Sequence, residues 1–285
     1  MKIGVSGASG NLGGVTVKEL LERAAGQHSV VTITRTPEKI AIDDVEARFG
    51  DYDQPSSLIE AYKGLDRLLL IPSSEVKPGR RSEQFIAAID AAVEAGVPHI
   101  VLISSTGARN TEKTNIAYDY FVSEQHLMRK ASKWSILRMN YYSEYFIMDA
   151  QMSLAYGVLS GLTESKVAFV SRDDIATAAA GLLLGNDHEG AIYNGTGPES
   201  LTGAQRAELI AKVSGKPLSF ITIPVETLQD QLQQGELPAE IINLVVNTQQ
   251  NFSNGDYDIV TGDIEKLSGR PARSLESILS TTTFQ

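Results

Sequence analysis

Lys2-Ile3-Gly4-Val5-Ser6-Gly7-Ala8-Ser9-Gly10-Asn11-Leu12-Gly13-Gly14 is the stretch on which the fold turns. A short apolar run over 2–6 passes at once into glycines spaced G-x-x-G-x-x-G, and then into an amphipathic helical pattern over 15–25. Strand, glycine turn and helix in that order form the context of a dinucleotide cradle. Gly7 makes the tight turn, Gly10 lets the backbone approach a pyrophosphate, and Gly13 lets the helix pack on the strand. Ser9, Asn11 and Leu12 share the turn, so a diphosphate would meet them at the helix N-terminus, where free N–H groups and the dipole favour an anion.

The next segment chooses the cofactor. A β-branched strand over 30–34 runs into Thr34-Arg35-Thr36-Pro37-Glu38-Lys39. NAD enzymes place Asp or Glu here for the ribose 2′-hydroxyl, whereas an arginine holds a 2′-phosphate. Arg35 can pair with phosphate bidentately and Lys39 can add a point charge. NADPH is therefore the expected cofactor, with NADH weaker. A third strand over 45–49 leads into Gly50-Asp51-Tyr52-Asp53-Gln54-Pro55, where Asp51 is placed to meet an adenine amino group or simply to hold its turn.

Further along, a helix over 56–62, a strand over 67–71 closed by Pro72, a helix over 82–95 and a strand over 100–104 continue the alternation. That alternation predicts an α/β chain with a Rossmann-type doubly wound parallel sheet. A helix over 123–131, a strand over 135–137 and an alanine-rich helix over 172–184 follow. The order then becomes mixed, with a strand over 191–194, a helix over 202–214, a strand over 218–222 and helical segments to the end. The expected organisation is an NADP-binding domain over 1–189 and a smaller mixed α/β C-terminal substrate domain over 190–285. Part of 140–165 is expected to line the substrate cleft.

Composition narrows the function. The 285 residues carry 25 basic and 35 acidic side chains, a net charge of −10 with no basic run, which disfavours a nucleic-acid partner. The absence of cysteine excludes disulfides, thiolate metal sites and a cysteine nucleophile. No apolar run reaches the roughly 20 residues of a membrane span. A cytoplasmic protein, monomeric or homodimeric, is expected, and no exposed heptad or apolar stripe is apparent.

In doubly wound folds the ligand lies outside the carboxyl ends of the strands. That brings in Ser73 and Ser74 after the fourth strand and Ser104 and Ser105 at the fifth, the first three as cofactor contacts and Ser105 as a catalytic candidate. A Tyr-x-x-x-Lys acid–base pair is missing: Tyr118 is followed four positions later by Val122, and Tyr120 by Glu124. The aromatic segment Arg138-Met139-Asn140-Tyr141-Tyr142-Ser143-Glu144-Tyr145-Phe146 suits a pocket wall, with Asn140 and Tyr142 as donors. Metal chemistry has little support. His28, His99, His126 and His188 are scattered, and Asp43-Asp44 and Asp173-Asp174 suit a turn and a helix start.

On these residues the chain resembles the NmrA-like atypical short-chain dehydrogenases, and within them the bacterial type-2 NAD(P)H:quinone oxidoreductases and triphenylmethane dye reductases. The likeness rests on the Gly7-to-Gly13 turn, the segment from Thr34 to Lys39, Leu68-Leu69-Leu70-Ile71-Pro72-Ser73-Ser74-Glu75-Val76, Ala95-Gly96-Val97, Leu137-Arg138, Tyr142-Ser143-Glu144, and His188-Glu189-Gly190 with Tyr193. It implies NADPH in the larger lobe and direct hydride transfer to a quinone or similar conjugated small molecule. Ser105, Asn140 or Tyr142 would donate hydrogen bonds to the acceptor oxygen. One departure stands out: relatives commonly show Arg-Asn where this chain has Arg138-Met139. The same cradle also serves non-catalytic NADP-sensing regulators, so that reading stands as the alternative. A sugar-nucleotide epimerase is disfavoured by the missing tyrosine–lysine pair.

Overall fold

The computed structural model describes residues 1–43 and 45–284, so the Asp44 half of the Asp43-Asp44 turn lies outside the described residues. The elements run β1 (Lys2–Ser6), α1 (Asn11–Ala24), β2 (Ser29–Thr34), a single 3-10 turn (Pro37–Lys39), β3 (Val45–Phe49), α2 (Pro55–Tyr62), β4 (Arg67–Leu70), α3 (Arg80–Glu94), β5 (His99–Ser105), α4 (Ile116–Lys130) and β6 (Lys133–Met139). They continue with α5 (Ser143–Tyr156), β7 (Val158–Gly161), α6 (Arg172–Leu184), β8 (Ala191–Gly195), α7 (Gly203–Ser214), β9 (Ser219–Thr222), α8 (Val225–Gln234), α9 (Ala239–Ser253), α10 (Asp263–Ser268) and α11 (Leu275–Ser280).

Seven strands form one sheet in the order β3-β2-β1-β4-β5-β6-β8. Pairing is parallel between β1 and β2, β1 and β4, β2 and β3, and β4 and β5. The chain leaves β1 toward β2 and β3 on one side and returns to β4 on the other, so strand order reverses beside β1, the switch point expected of this Rossmann-type α/β fold. The reason is visible in burial. Every residue of β5 is buried and β4 is buried over its last three, as strands covered on both faces must be. Helix α6 is buried from Ile175 to Leu183, because small alanines and Gly181 let it lie close to its neighbours. A Cβ on Gly181 would sit on the Leu267 carbonyl of α10.

Two compact units emerge, and they interleave along the chain in place of the single cut expected after residue 189. The first holds Met1–Arg138, Asp173–Gly195 and Asp263–Arg270; the second holds Met139–Arg172, Thr196–Gly262 and Pro271–Gln285. Strand β8, expected in the C-terminal domain, is the seventh strand of the main sheet. The second unit has its own core of Phe146, Leu159, Phe169, Ile210, Phe252 and Tyr257, onto which the Tyr141 ring packs edge-on. It also has a two-stranded parallel sheet, β7 with β9, of which β7 carried no strand signal in the sequence.

Local signals misplaced several boundaries. Helix α4 begins at Ile116 rather than 123, because the Asn115 side chain accepts from the Ala117 N–H and caps it there. Strand β6 extends from Lys133 to Met139 around the expected 135–137. The aromatic segment after it is the first turn of α5, whose apolar residues lie all round the helix and blur its period. Among the described residues, no helix is long and apolar enough to cross a membrane.

Candidate functional site: a nucleotide cradle

The glycine turn lies at the carboxyl end of β1, beside the switch point. Gly7 has φ +84°, a left-handed conformation that strains any residue with a side chain. Its N–H and that of Ala8 both donate to the Ile33 carbonyl, at 3.0 and 3.3 Å, which anchors the turn to β2. Thr34 Oγ1 donates to Ser9 Oγ at 2.8 Å and makes a second tie. Gly13 is glycine for close approach: a Cβ there would fall 2.3 Å from the Gly7 carbonyl oxygen and 2.8 Å from Ala8 Cα.

Helix α1 starts without help from side chains. Its N-cap is Gly10, no side chain caps it, and its first turn has no acidic residue. The first helical bond runs from Gly14 N–H to the Gly10 carbonyl at 2.8 Å, so the N–H groups of Asn11, Leu12 and Gly13 have no acceptor within the helix. Leu12 buries its side chain, which leaves its backbone N–H as the group that can face a phosphate. Arg35, one residue past β2, is exposed, as is Lys39 at the end of the 3-10 turn. Among the described residues neither side chain takes part in a salt bridge or hydrogen bond. These features fit a dinucleotide: unclaimed donors at a helix start, a turn that no Cβ obstructs, and unclaimed cations beyond the second strand.

The acidic residue of this region is committed elsewhere. Asp51 Oδ1 accepts from the Asp53 N–H at 3.0 Å and Oδ2 from Gln54 Nε2 at 3.3 Å, so its carboxylate closes its own turn. Ser73 Oγ donates to Gln84 Oε1 at 2.5 Å, and Gln84 Nε2 in turn donates to Asp53 at 2.8 Å, while Ser74 is exposed.

At the carboxyl ends of β5 and β6 the polar groups form a closed network. Glu124, fully buried on α4, accepts from Ser104 Oγ at 2.6 Å, from Arg138 Nε at 2.8 Å and from Arg138 Nη2 at 2.6 Å. The carboxylate raises the Arg138 guanidinium further above its ordinary range. Sequence reasoning missed this pair, although its signal was in view: an acid at Glu124 stands where a Tyr-x-x-x-Lys motif starting at Tyr120 would carry its lysine. The Tyr120 hydroxyl itself accepts from Arg81 at 2.8 Å. Ser105, buried at the end of β5, accepts the Gly107 N–H at 3.3 Å.

The second unit supplies the other two candidates. Asn140 is buried; its Nδ2 donates to the Tyr257 carbonyl at 3.2 Å and its Oδ1 accepts the Tyr141 N–H at 2.7 Å. Both halves of the amide therefore hold the chain between β6 and α5. Tyr142 is the N-cap residue of α5, and the Arg172 guanidinium lies 5.3 Å above its ring and 4.9 Å above that of Tyr145. Among the described residues no three histidine, aspartate or glutamate side chains gather as a metal ion would require.

Comparison with known proteins agrees with this cradle. Residues 7–185 match the NAD(P)H-binding family. The chain is 30% identical to quinone oxidoreductase 2 of Escherichia coli K12, over 98% of this chain and 97% of that protein. Its structure is similar to that of an E. coli NADPH-dependent quinone oxidoreductase complexed with NADPH, with a TM-score of 0.88 and 28% identity over 98% of each chain. It is also similar to Citrobacter triphenylmethane reductase complexed with NADP(H), with a TM-score of 0.86 and 26% identity over 98% of this chain and 99% of the other. The uncapped helix start, the glycine turn and these likenesses agree, and the chain belongs to the NAD(P)H-binding family, as an NAD(P)H-dependent oxidoreductase of the NmrA-like, quinone-reductase-like kind.

Proposed function

We propose that the protein prefers NADPH and reduces a quinone or a similar flat, conjugated acceptor by direct hydride transfer. The observation that carries the cofactor preference is Arg35: an exposed guanidinium just past β2, without a partner among the described residues, where an NAD enzyme would carry an acid. Lys39 adds charge to the same phosphate. The Gly7–Gly13 turn and the first-turn N–H groups of α1 hold the diphosphate.

When bound, the reduced nicotinamide supplies a hydride. The chain's residues then have three tasks: to hold the acceptor against the nicotinamide, to orient it and to stabilise charge on its oxygen. Ser105 or Tyr142 is the proposed donor to that oxygen. Asn140 has its amide engaged on both sides, so its task is to set the course of the chain into Tyr142. A quinone is already electrophilic, and its reduced oxyanion can take a proton from water. The proposal therefore needs no side-chain acid, which is consistent with Glu124 standing four residues after Tyr120.

The test is purified protein with NADPH or NADH and a small quinone, followed by loss of nicotinamide absorbance. Turnover with a KM for NADPH at least about tenfold below that for NADH is expected, as one charge-assisted phosphate contact supplies. Tight NADPH binding without turnover on quinones and triphenylmethane dyes would overturn the enzymatic reading in favour of a sensor.

A further inference from the structure

Helix α5 exposes an apolar stripe that nothing in the nucleotide site uses. Tyr145, Met148, Met152 and Tyr156 are 49%, 59%, 62% and 84% exposed. Their spacing of three, four and four residues places them along one face of the helix, over about 16 Å. Among the described residues, no other element leaves more than one large apolar side chain exposed. Scattered single residues need no explanation, whereas a contiguous patch marks a contact surface.

We propose that this face docks a second copy of the chain, α5 against α5 in antiparallel orientation across a two-fold axis. Three observations favour that occupant. The stripe is a palindrome of residue type, Tyr-Met-Met-Tyr, as an isologous contact requires. An antiparallel pairing sets Tyr145 against the partner's Tyr156 and Met148 against the partner's Met152. The face is also uncharged: the exposed residues of α5 are Tyr145, Met148, Gln151, Met152, Ala155 and Tyr156. On a chain of net charge −10, a surface free of acids is one that two copies can share without setting like charges against each other. The same net charge disfavours an anionic lipid surface, and the stripe carries no lysine to offset it.

The third observation is area. With ~200 Å² for each fully exposed side chain of this size, the four together still expose roughly 500 Å². Two copies would bury about 1,000 Å² from the stripe alone, the threshold for a specific interface, before the flanking residues are counted. Arg172, stacked on the Tyr145 ring, stands at the end of the patch.

Sedimentation velocity on the full chain at tens of micromolar tests the proposal. The wild type should sediment at twice the chain mass of 30.8 kDa. Met152→Asp sets two carboxylates in the contact and should weaken association roughly a hundredfold or more, since buried like charge is costly at an interface centre. Because position 152 is exposed, circular dichroism of this variant should match the wild type. The double variant Met148→Lys with Met152→Asp should restore the dimer, because antiparallel pairing puts each new lysine beside the partner's new aspartate. A monomeric wild type overturns the proposal, and so does a dimer that Met152→Asp leaves intact. A monomer that pellets with phosphatidylcholine vesicles, or in which Met152→Asp raises only the KM for a quinone, overturns it in favour of a lipid or an acceptor.

Discussion

At the carboxyl end of β1 and β2 polar groups are left open: three first-turn N–H groups of α1 have no helical acceptor, and Arg35 and Lys39 are unclaimed among the described residues. At the carboxyl end of β5 and β6 they are committed. Ser104 and Arg138 converge on buried Glu124, and Asn140, just beyond β6, is bonded on both sides of its amide. Unclaimed donors suit a ligand that brings its own charge, such as a phosphate. Committed ones hold the fold itself, because each buried donor already has its acceptor. The difference teaches that one end of the sheet leaves polar groups open to a charged ligand, while the other bonds its polar groups to one another within the fold.

The largest effect should come from breaking the committed side. Glu124→Ala leaves Arg138 and Ser104 without their acceptor in a buried setting, and unfolding by urea should show a loss of about 3–5 kcal/mol. If stability hardly changes, that end of the sheet is not held by the network. Next is Gly13→Ala, which drives a Cβ into the Gly7 carbonyl. Overpacking of this kind costs about 1–3 kcal/mol, and fluorescence titration should find NADPH binding lost with it. Arg35→Gln sharpens the contrast, because an exposed group can be removed without touching the core. Affinity for NADPH should fall about 10- to 100-fold, affinity for NADH should hold, and the melting temperature should not move.

The smallest effect is a pH signature that separates the two units. Since the Ser135 hydroxyl donates to the His188 carbonyl, His99 Nε2–H is the donor to Ser135 Oγ, and its buried ring is neutral. Burial, and then the charge of Arg67, holds His99 down to about 4; Lys133 and His188 act in the same direction and Glu189 against it. The stability this contributes is full above about pH 6.5 and is lost as pH falls through about 4. Asp149 in the second unit has the opposite sign. Burial pushes its carboxyl up to about 6, with Arg206 partly opposing, so its contribution is full below the unfolded value of 3.8 and lost as pH rises through about 6. His99→Gln should flatten the acid limb of a plot of urea midpoint against pH. Asp149→Asn should raise the midpoint near neutrality and leave it unchanged in acid.

The cradle was legible because its causes are local. A positive φ at Gly7 and a close approach at Gly13 allow essentially one residue type, so glycines at that spacing between strand and helix announce the geometry before any contact is known. Strand β1 and helix α6 matched their expected limits for the same reason, a run of buried or small residues bounded by turn chemistry; β3 matched its limits too, although none of its residues is buried. The α5 stripe stayed hidden because apolar residues surround that helix. Phe146 and Ala150 are equally apolar and face the core, so only burial tells the two faces apart.

Sequence by itself determined the alternation of strands and helices from β1 through β5, the glycine turn and the charge that follows β2, since each depends on backbone sterics or residue type within a few positions. The tertiary structure decided that β8 joins the first sheet, that Glu124 binds Arg138 and Ser104, and that Asn140 is internally bonded. Those outcomes depend on which distant residues meet, and a one-dimensional pattern does not carry the distances between them.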